Sequence, residues 1–527
     1  MFIRIKNNRN SDGTYRQYLQ IVKSERVAGK VKQTMLCSLG RLDELQDGSL
    51  DNLIRGLAKH SQNLTVINAA EELSSEWSKE YGTTIVFRRL WEKLKLDAII
   101  ADSLSKTKYN SDISEAVFAM VLNRLTVPAS KLNMFNEWKD NVYRNEFDKL
   151  DLHNLYRALD FLADNKDKIE SDLFIEQTNL FNRSLDLVFF DTTSTYFEGK
   201  QCEGLARYGY SKDHRPDRLQ VVIGVMMTRD GRPVAHKVFP GNQSDSKAFV
   251  EAIKDLKTRF NVGRVIIVGD RGMMSKAGLE ELDKLGFEYI LGVKMRKIKD
   301  CEAVLDKAMT FEKVKENLEV CSIKYNEKNF IVCHNADEAV RDKAVRETVV
   351  ESLKERIKTP SGVKNLVGNS AYKKFLSLGE TQVKINEKEV AGDAKYDGKY
   401  VLQTNTELSA SEVATAYKDL WQIERGFREL KSTLELRPVY HWNENRIRGH
   451  ICVCFLALVL QLTMQKLLQS QNENYATVMS DLAKVKATHI KVQDENYLVR
   501  TDLTGKAHSA FKALGLAVPQ RVIPIPG

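Results

Sequence analysis

Three carboxylates stand in settings where they could do chemistry. Asp191 and Asp270 each close a continuous apolar run, SLDLVFFD and VGRVIIVGD, and each precedes small or turn-forming residues, DTTST and DRG. Such runs read as buried strands, and functional residues of α/β sheets gather outside strand carboxyl ends. The plainer alternative is an Asx turn or a cap for the next element. Glu424 sits on a strongly patterned segment, 409–435, whose start is fixed by an S-x-x-E capping box of Ser409 and Glu412. Ala416, Leu420, Ile423, Phe427, Leu430 and Leu434 make one apolar stripe along that helix. At about 100° per residue, Glu424 lies about 80° from the stripe centre, on the flank shared by Tyr417 and Lys431. That predicts a boundary carboxylate, which needs a cation or donors. An ion pair with Arg428 or a contact with Lys431 would satisfy it as well.

Three carboxylates on two strands and one helix suit a hard divalent cation, because oxygen ligands select magnesium or manganese over zinc. Two such ions can clamp the attacking and leaving oxygens of an in-line phosphoryl displacement. The nucleophile would be water or a 3′-hydroxyl, with no covalent enzyme intermediate.

The elements that must position these groups emerge from the pattern. Residues 1–45 read as short strands, FIRIK, QYLQIV and VKQTML, around the turn-rich NNRNSDGTYR, and 50–80 as a helical connection. Residues 81–183 are mostly helical, with Arg88, Arg89, Lys93, Lys95, Lys106, Lys108, Arg124 and Lys131 interspersed. These are solvated helix faces or a DNA-binding helical module, without a clean helix-turn-helix signature. From 184 the order is strand, strand, strand, helix, strand, helix, strand, an α/β sheet with mixed pairing. RLQVVIGVMMT and RPVAHKVFP flank RDG as a hairpin, and Asn242, Ser244 and Asp245 read as a turn and helix cap, with a helper role at the site as the alternative for Asp245. Residues 297–398 break that rhythm like an inserted domain. Residues 449–468 form a helix apolar nearly all round, hence buried.

Length and composition bound the answer. The 527 residues suggest about three or four domains. With 43% hydrophobic and 29% charged residues, the chain is not disordered, collagen-like or a disulfide scaffold. The net charge of +9 permits a polyanion partner without proving one. Seven scattered cysteines without a Cys-x-x-Cys fit a reducing compartment, and neither Cys452 with Cys454 nor Cys333 and His334 with Cys301 and Cys321 has zinc spacing. The amino terminus has no apolar signal region, and the longest apolar run, 451–460, is too short to span a bilayer. The expectation is a cytoplasmic protein with no membrane partner.

The segment YKDLWQIERGFRELKSTLELRPVYHW, followed by RIRGHICVCFLALVL, resembles the C-terminal signature of bacterial insertion-sequence DDE transposases. FFDTTSTYFEG and VIIVGDRGMMS resemble the blocks that carry that family's first and second Asp, and YGYSKDHRPDRLQVVIGVMMTRDGRPVAHKVFPGNQSD is similar to it between them. The likeness is spread over about 184–295 and 396–465. It implies an RNase H-like (retroviral integrase-like) α/β core with a mixed sheet, interrupted by a β-rich insertion domain. The implied organisation is an N-terminal β module with its helical connection at 1–80 and a helical DNA-binding module at 81–183. The core's first part comes next at 184–296, then the insertion at 297–398, the core's second part with the Glu helix at 399–475, and a tail at 476–527.

The resemblance implies that Asp191, Asp270 and Glu424 are catalytic and ligate two Mg2+ ions, for which Mn2+ can substitute. One branch of the family carries Tyr-x2-Arg-x3-Glu-x6-Lys. Tyr417, Glu424 and Lys431 fit it, while Leu420 takes the Arg position. Tyr417 and Lys431 are then expected on the transposon-end backbone, with Arg425 or Arg428 replacing the missing Arg. Lys212, Arg215 and Arg218 are further phosphate-binding candidates, explained equally by a solvated turn, as are Arg446, Arg448 and His450, for which helix capping is the plainer reading. The implied activity is binding of terminal inverted repeats, metal-dependent cleavage and strand transfer. The partners are transposon-end and target double-stranded DNA, with a homodimer assembled on DNA and a bacterial, nucleoid-associated location. The alternatives are a catalytically silent transposase-derived DNA-binding protein and a haloacid-dehalogenase-like phosphatase. The latter wants a second acidic residue two positions after the first Asp, where this chain has Thr193.

Overall fold

The computed structural model describes residues 1–27, 29–45, 48–61, 66–68, 71–109, 112–181, 187–198, 204–260, 265–307, 309–358, 374–378 and 383–525. Residues 184–186 and 262–264, which begin the two expected Asp strands, lie outside them, as do 308, 359–373 and 379–382 of the expected insertion domain. The chain forms two compact units. The larger is Lys79–Ala487 with Thr501–Pro519; the smaller is Met1–Ser78 with Thr488–Arg500 and Gln520–Gly527.

The larger unit is built on a nine-stranded mixed sheet. Its strands are β1 (Leu187–Tyr196), β2 (Gln220–Thr228), β3 (Pro233–Pro240), β4 (Ile266–Gly269) and β5 (Glu288–Gly292). They continue as β6 (Glu312–Lys315), β7 (Leu318–Tyr325), β8 (Lys328–His334) and β9 (Lys399–Thr404). The order across the sheet is β6-β7-β8-β9-β5-β4-β1-β2-β3. β1, β4 and β5 run parallel, and the other pairings are antiparallel. The β2–β3 turn places Gly231 at φ +77°, a left-handed conformation that favours glycine. Strands of the expected insertion, β6 to β8, extend the same sheet through β9 rather than standing apart from it.

Continuous apolar strands need cover on both faces. Helices Asp245–Arg259 and Lys276–Leu285 supply Phe249, Ala252, Leu256 and Leu282 to one face, against Val188, Phe190 and Ile267. The opposite face, carrying Phe189, Val225 and Val268, belongs to a larger core. That core includes helices Gly82–Lys93, Asp112–Thr126, Leu152–Phe181, Ala410–Lys418, Trp421–Arg428 and Glu444–Gln469. Glu444–Gln469 is long and apolar enough to cross a membrane, yet most of it is buried inside the protein. It is the buried helix the sequence predicts, extended beyond the apolar run at both ends.

The first Asp strand does not end at Asp191, as the sequence suggests, but continues to Tyr196. β-Branched Thr192, Thr193 and Thr195 favour extended chain, and each pairs with β2. The 409–435 segment is also not one helix. The capping box of Ser409 and Glu412 is present in both directions, but the chain divides into Ala410–Lys418, Trp421–Arg428 and a π-turn at Glu429–Thr433. The stripe nevertheless holds: Ala416, Leu420, Ile423, Phe427, Leu430 and Leu434 are all buried.

In the smaller unit the three amino-terminal strands the sequence predicts are Phe2–Arg9, Tyr15–Val27 and Lys30–Arg41, an antiparallel meander. Helix Ser49–Ala58 comes after them. The strands of the carboxyl-terminal segment form a four-stranded sheet with Leu73–Glu80.

Candidate active site

Strand register brings the two aspartates together. On parallel neighbours β1 and β4, Phe190 faces Gly269, so the next residues, Asp191 and Asp270, lie side by side. Side chains alternate along a strand. Phe189 and Val268 belong to the larger core, so Asp191 and Asp270 point to that same face. Helix Trp421–Arg428 packs there through Ile423 and Phe427 and contributes Glu424. The three carboxylates line one cleft of about 300 Å3 with Tyr400, Tyr417, Lys418, Leu420, Trp421 and Ile423.

The charges in this cleft are unevenly balanced. Burial pushes the Asp191 carboxyl up to about 6, and the Asp270 and Asp245 charges add to the rise against the pull of Lys212. Asp191 Oδ1 accepts the Thr192 N–H at 2.6 Å. Tyr417 donates its hydroxyl to Asp270 Oδ1 at 3.3 Å and stacks on Tyr400 at 5.8 Å between ring centroids. Burial, with the Asp270 charge, raises the Tyr417 phenol, so it stays a donor. Glu424 is exposed in the cleft rather than a half-buried boundary residue. Among the described residues it has neither of the ion pairs considered from sequence, because Lys431 binds Asp213 instead, at 2.6 Å.

Behind Asp191 lies a second layer. Lys212 Nζ donates to the Thr192 carbonyl and hydroxyl, both at 2.8 Å, and lies 3.3 Å from Asp245 and 4.0 Å from Asp191. Thr192 Oγ1 donates to Asp245 Oδ1 at 2.5 Å. The sequence favours Asp245 as part of a cap. The structure starts the helix there, but Ser244 makes no side-chain cap bond and the Asp245 carboxylate turns to Lys212. No local signal could announce this, because the contact depends on how that helix lies on β1. Asp213, next in chain after Lys212, is a residue missed from sequence: its buried carboxylate takes both Lys431 and Arg437.

The remaining basic candidates are not gathered here. Arg215 pairs with Asp217 and lies over the Tyr196 ring, and Arg218 pairs with Glu198. Arg425 donates to Gln465, Arg446 faces Asp160, and Arg448 binds Glu444 and the Val238 carbonyl. Arg428 is exposed, His450 is buried, and Leu420, at the family's Arg position, is 9% exposed and packed in the core. Trp421 is 49% exposed at the cleft.

Among the described residues, no three His, Cys, Asp or Glu side chains converge closely enough to form a ready metal cage. The donors nevertheless fit a hard divalent cation in kind. They are oxygen-only, Asp191 is held up by burial and to a lesser extent by neighbouring carboxylates, and Glu424 has no ion pair with a protein cation among the described residues.

Fold and site thus define a mixed α/β domain with a three-carboxylate cleft. The chain belongs to the insertion-sequence DDE transposases: the family model of the transposase DDE domain matches residues 183–460, and that of the IS1634 family transposase N-terminal domain matches residues 3–72. No curated protein matches it. Among solved structures, one described as a cryo-EM structure of a piggyBac transposase synaptic complex with hairpin DNA is similar at 8% identity and TM-score 0.41. That likeness covers 76% of this chain and 79% of that one.

Proposed function

We propose that this transposase binds the terminal inverted repeats of its element, cuts the 3′ strand ends by hydrolysis and joins them to target DNA by transesterification. The observation that carries the reading is the side-by-side register of Asp191 and Asp270 with Glu424 in the same cleft. The sheet supports an RNase H-like core, since β3-β2-β1-β4-β5 are contiguous, the first three antiparallel and β4 and β5 parallel to β1. Asp191, Asp270 and Glu424 would hold two Mg2+ ions, with Mn2+ as a substitute. Bound there, the ions supply positive charge at the attacking and leaving oxygens of an in-line displacement.

The chain's own groups prepare the site. Tyr417 orients one Asp270 oxygen by its hydrogen bond, leaving the other free. Lys212 fixes Thr192, and so the backbone beside Asp191, while partly offsetting the carboxylates. Lys431, held by Asp213, keeps a cation on the Glu424 flank for the end backbone. A homodimer on DNA completes the reading, since joining two ends requires both at once. It would act in the bacterial cytoplasm on the nucleoid.

The test is cleavage of a labelled duplex carrying the element's ends, with magnesium, manganese or EDTA, beside Glu424→Gln. Metal-dependent nicking at the element boundary, absent in the variant, is expected. Specific binding without nicking by the wild type would instead mark a catalytically silent DNA-binding protein.

A further inference from the structure

We propose that a second, cation-lined cavity of the larger unit holds one phosphate group of the DNA backbone. The inference rests on the transposase reading and adds to it a contact site away from the three carboxylates. The cavity has a volume of about 520 Å3, and its lining includes Arg124, Lys131, Arg437, Tyr440, His441 and His450. Arg124 closes helix Asp112–Thr126, and Lys131 opens a turn capped by Ser130. Arg437, Tyr440 and His441 come from the loop after the Glu424 segment, and His450 from helix Glu444–Gln469.

Arg124 and Lys131 are only 6% and 3% exposed. Lys131 Nζ, Arg124 Nε and His450 Nδ1 are buried without a hydrogen-bond partner. The rest of the Arg124 guanidinium donates to backbone carbonyls, of Ala129 at 2.7 Å and Glu435 at 3.2 Å. Among the described residues, neither Arg124 nor Lys131 has an ion pair with a carboxylate. Glu435 is the one acidic residue in the lining, and it is exposed.

Buried polar groups are normally satisfied, and a buried unpaired cation is costly. A cluster of two such cations at one cavity therefore points to an anionic ligand. Burial first, then the neighbouring Arg124, pushes Lys131 down to about 7. The two histidines respond in the same sense: burial and the same cations drive His441 down to about 3 and His450 well below the imidazole range. A phosphate seated there would supply acceptors to Lys131 and Arg124 and restore the lysine's charge.

Continuity favours a backbone phosphate. Arg437, in the cavity lining, shares the Asp213 carboxylate with Lys431, and Lys212, next to Asp213, reaches Asp191. Cations thus run from the carboxylate cleft to the cavity. Tyr440, 62% exposed, offers a stacking face at its rim.

The experiment uses the full-length protein in EDTA, so that no cleavage intervenes. Wild type, Lys131→Met and Arg124→Gln are compared for binding of the end duplex over a salt series and for melting with and without millimolar inorganic phosphate. Loss of one phosphate contact predicts about tenfold weaker duplex binding and a log–log salt slope smaller by about one for each variant. Lys131→Met should melt no lower than wild type, because it removes an unpaired buried charge. Testing the two variants separately covers the case in which one is unstable. Wild-type affinity and slope in both variants would overturn the site. Stabilisation of wild type but not Lys131→Met by inorganic phosphate, with duplex binding unchanged, would assign the cavity to a free phosphate and overturn the DNA assignment. Failure of the wild type itself to bind duplex would take down the transposase reading and this assignment together, a pattern distinct from equal binding by all three proteins.

Discussion

Thr192 and Asp245 are joined by a 2.5 Å hydrogen bond on the face of β1 opposite Asp191. The alternation of the strand makes this arrangement: Asp191 faces helix Trp421–Arg428, and Thr192 faces helix Asp245–Arg259. Lys212 ties both sides, touching Thr192 and Asp245 and approaching Asp191. Groups behind a ligand typically account for about 10–100-fold in metal affinity or activity. Asp245→Asn and Lys212→Met should each lower Mg2+-dependent nicking by about that factor, with rescue as Mn2+ is raised. A purely structural role would instead lower the melting temperature and show no rescue.

The carboxylates themselves should behave differently. Asp191→Asn, Asp270→Asn and Glu424→Gln are each expected to abolish strand cleavage at any metal concentration while end binding persists. Gel-shift and nicking assays on the same preparations check this. A variant that cleaves at close to the wild-type rate does not carry a ligand.

Asp191 and Asp270 are legible because buried strands write themselves as apolar runs, and an acid at the end of one stands out. The capping box and the stripe of 409–435 are legible for the same reason, being local and periodic. What periodicity cannot report is which neighbour covers a face. Arg124 and Lys131 look like other solvated helix cations in sequence, and only tertiary packing, with the 435–441 loop, Tyr156 and His450 lining the same cavity, buries them. Asp245 looks like a cap, and becomes a partner of Thr192 only when its helix lies on β1. Helix spacing offers Glu424 a pair with Arg428 or Lys431, but Asp213 competes for Lys431 from another loop. The strand beyond Asp191 is hidden because DTTST mixes turn-forming residues with β-branched ones, and only pairing with β2 decides between them.

The contact pattern also sets what a truncation should do. Trp91, Phe118 and Phe161 are fully buried in the same core as helix Glu444–Gln469. Deleting 1–183 therefore strips aromatic side chains worth about 3–5 kcal/mol each from that core, and the remainder should not fold. Deleting 1–72, the span matched by the IS1634 N-terminal domain, leaves those residues in place. We expect this shorter deletion to remain folded by thermal melting and to lose preference for its own ends over random duplex in competition binding. Undiminished end preference would move recognition to the helices of the larger unit.

The last prediction concerns acid. Glu170, on helix Leu152–Phe181, is fully buried and is held from three sides. His236 on β3 donates its Nδ1–H at 2.6 Å and its backbone N–H at 2.9 Å, Lys166 donates at 3.1 Å, and Arg259 at 2.8 Å. Burial disfavours the carboxylate, but Lys166, His236 and Arg259 outweigh it and hold its pKa well below the usual range. Burial also lowers His236, so the imidazole is neutral in the fold. Both groups bind fewer protons folded than unfolded, so stability rises with pH across their titrations. The His236 contribution is lost as pH falls below about 6.5, and the Glu170 contribution as pH falls below about 4.3 toward its folded pKa. Lys166 is shifted up, against the burial that opposes it, so its contribution persists until alkaline pH. The wild-type melting temperature should therefore decline steadily between about pH 7 and pH 4. Glu170→Gln removes one buried acceptor charge from Lys166 and Arg259, which keep Asp167 and, for Arg259, Asp255, and should destabilise the protein by about 1.5–3 kcal/mol at neutral pH, with a flatter acid limb. Parallel melting curves for the two proteins across that range would show that the acid sensitivity arises elsewhere. Because Arg259 terminates the helix that begins at Asp245, the same variant should also weaken Mg2+-dependent nicking more than it weakens duplex binding.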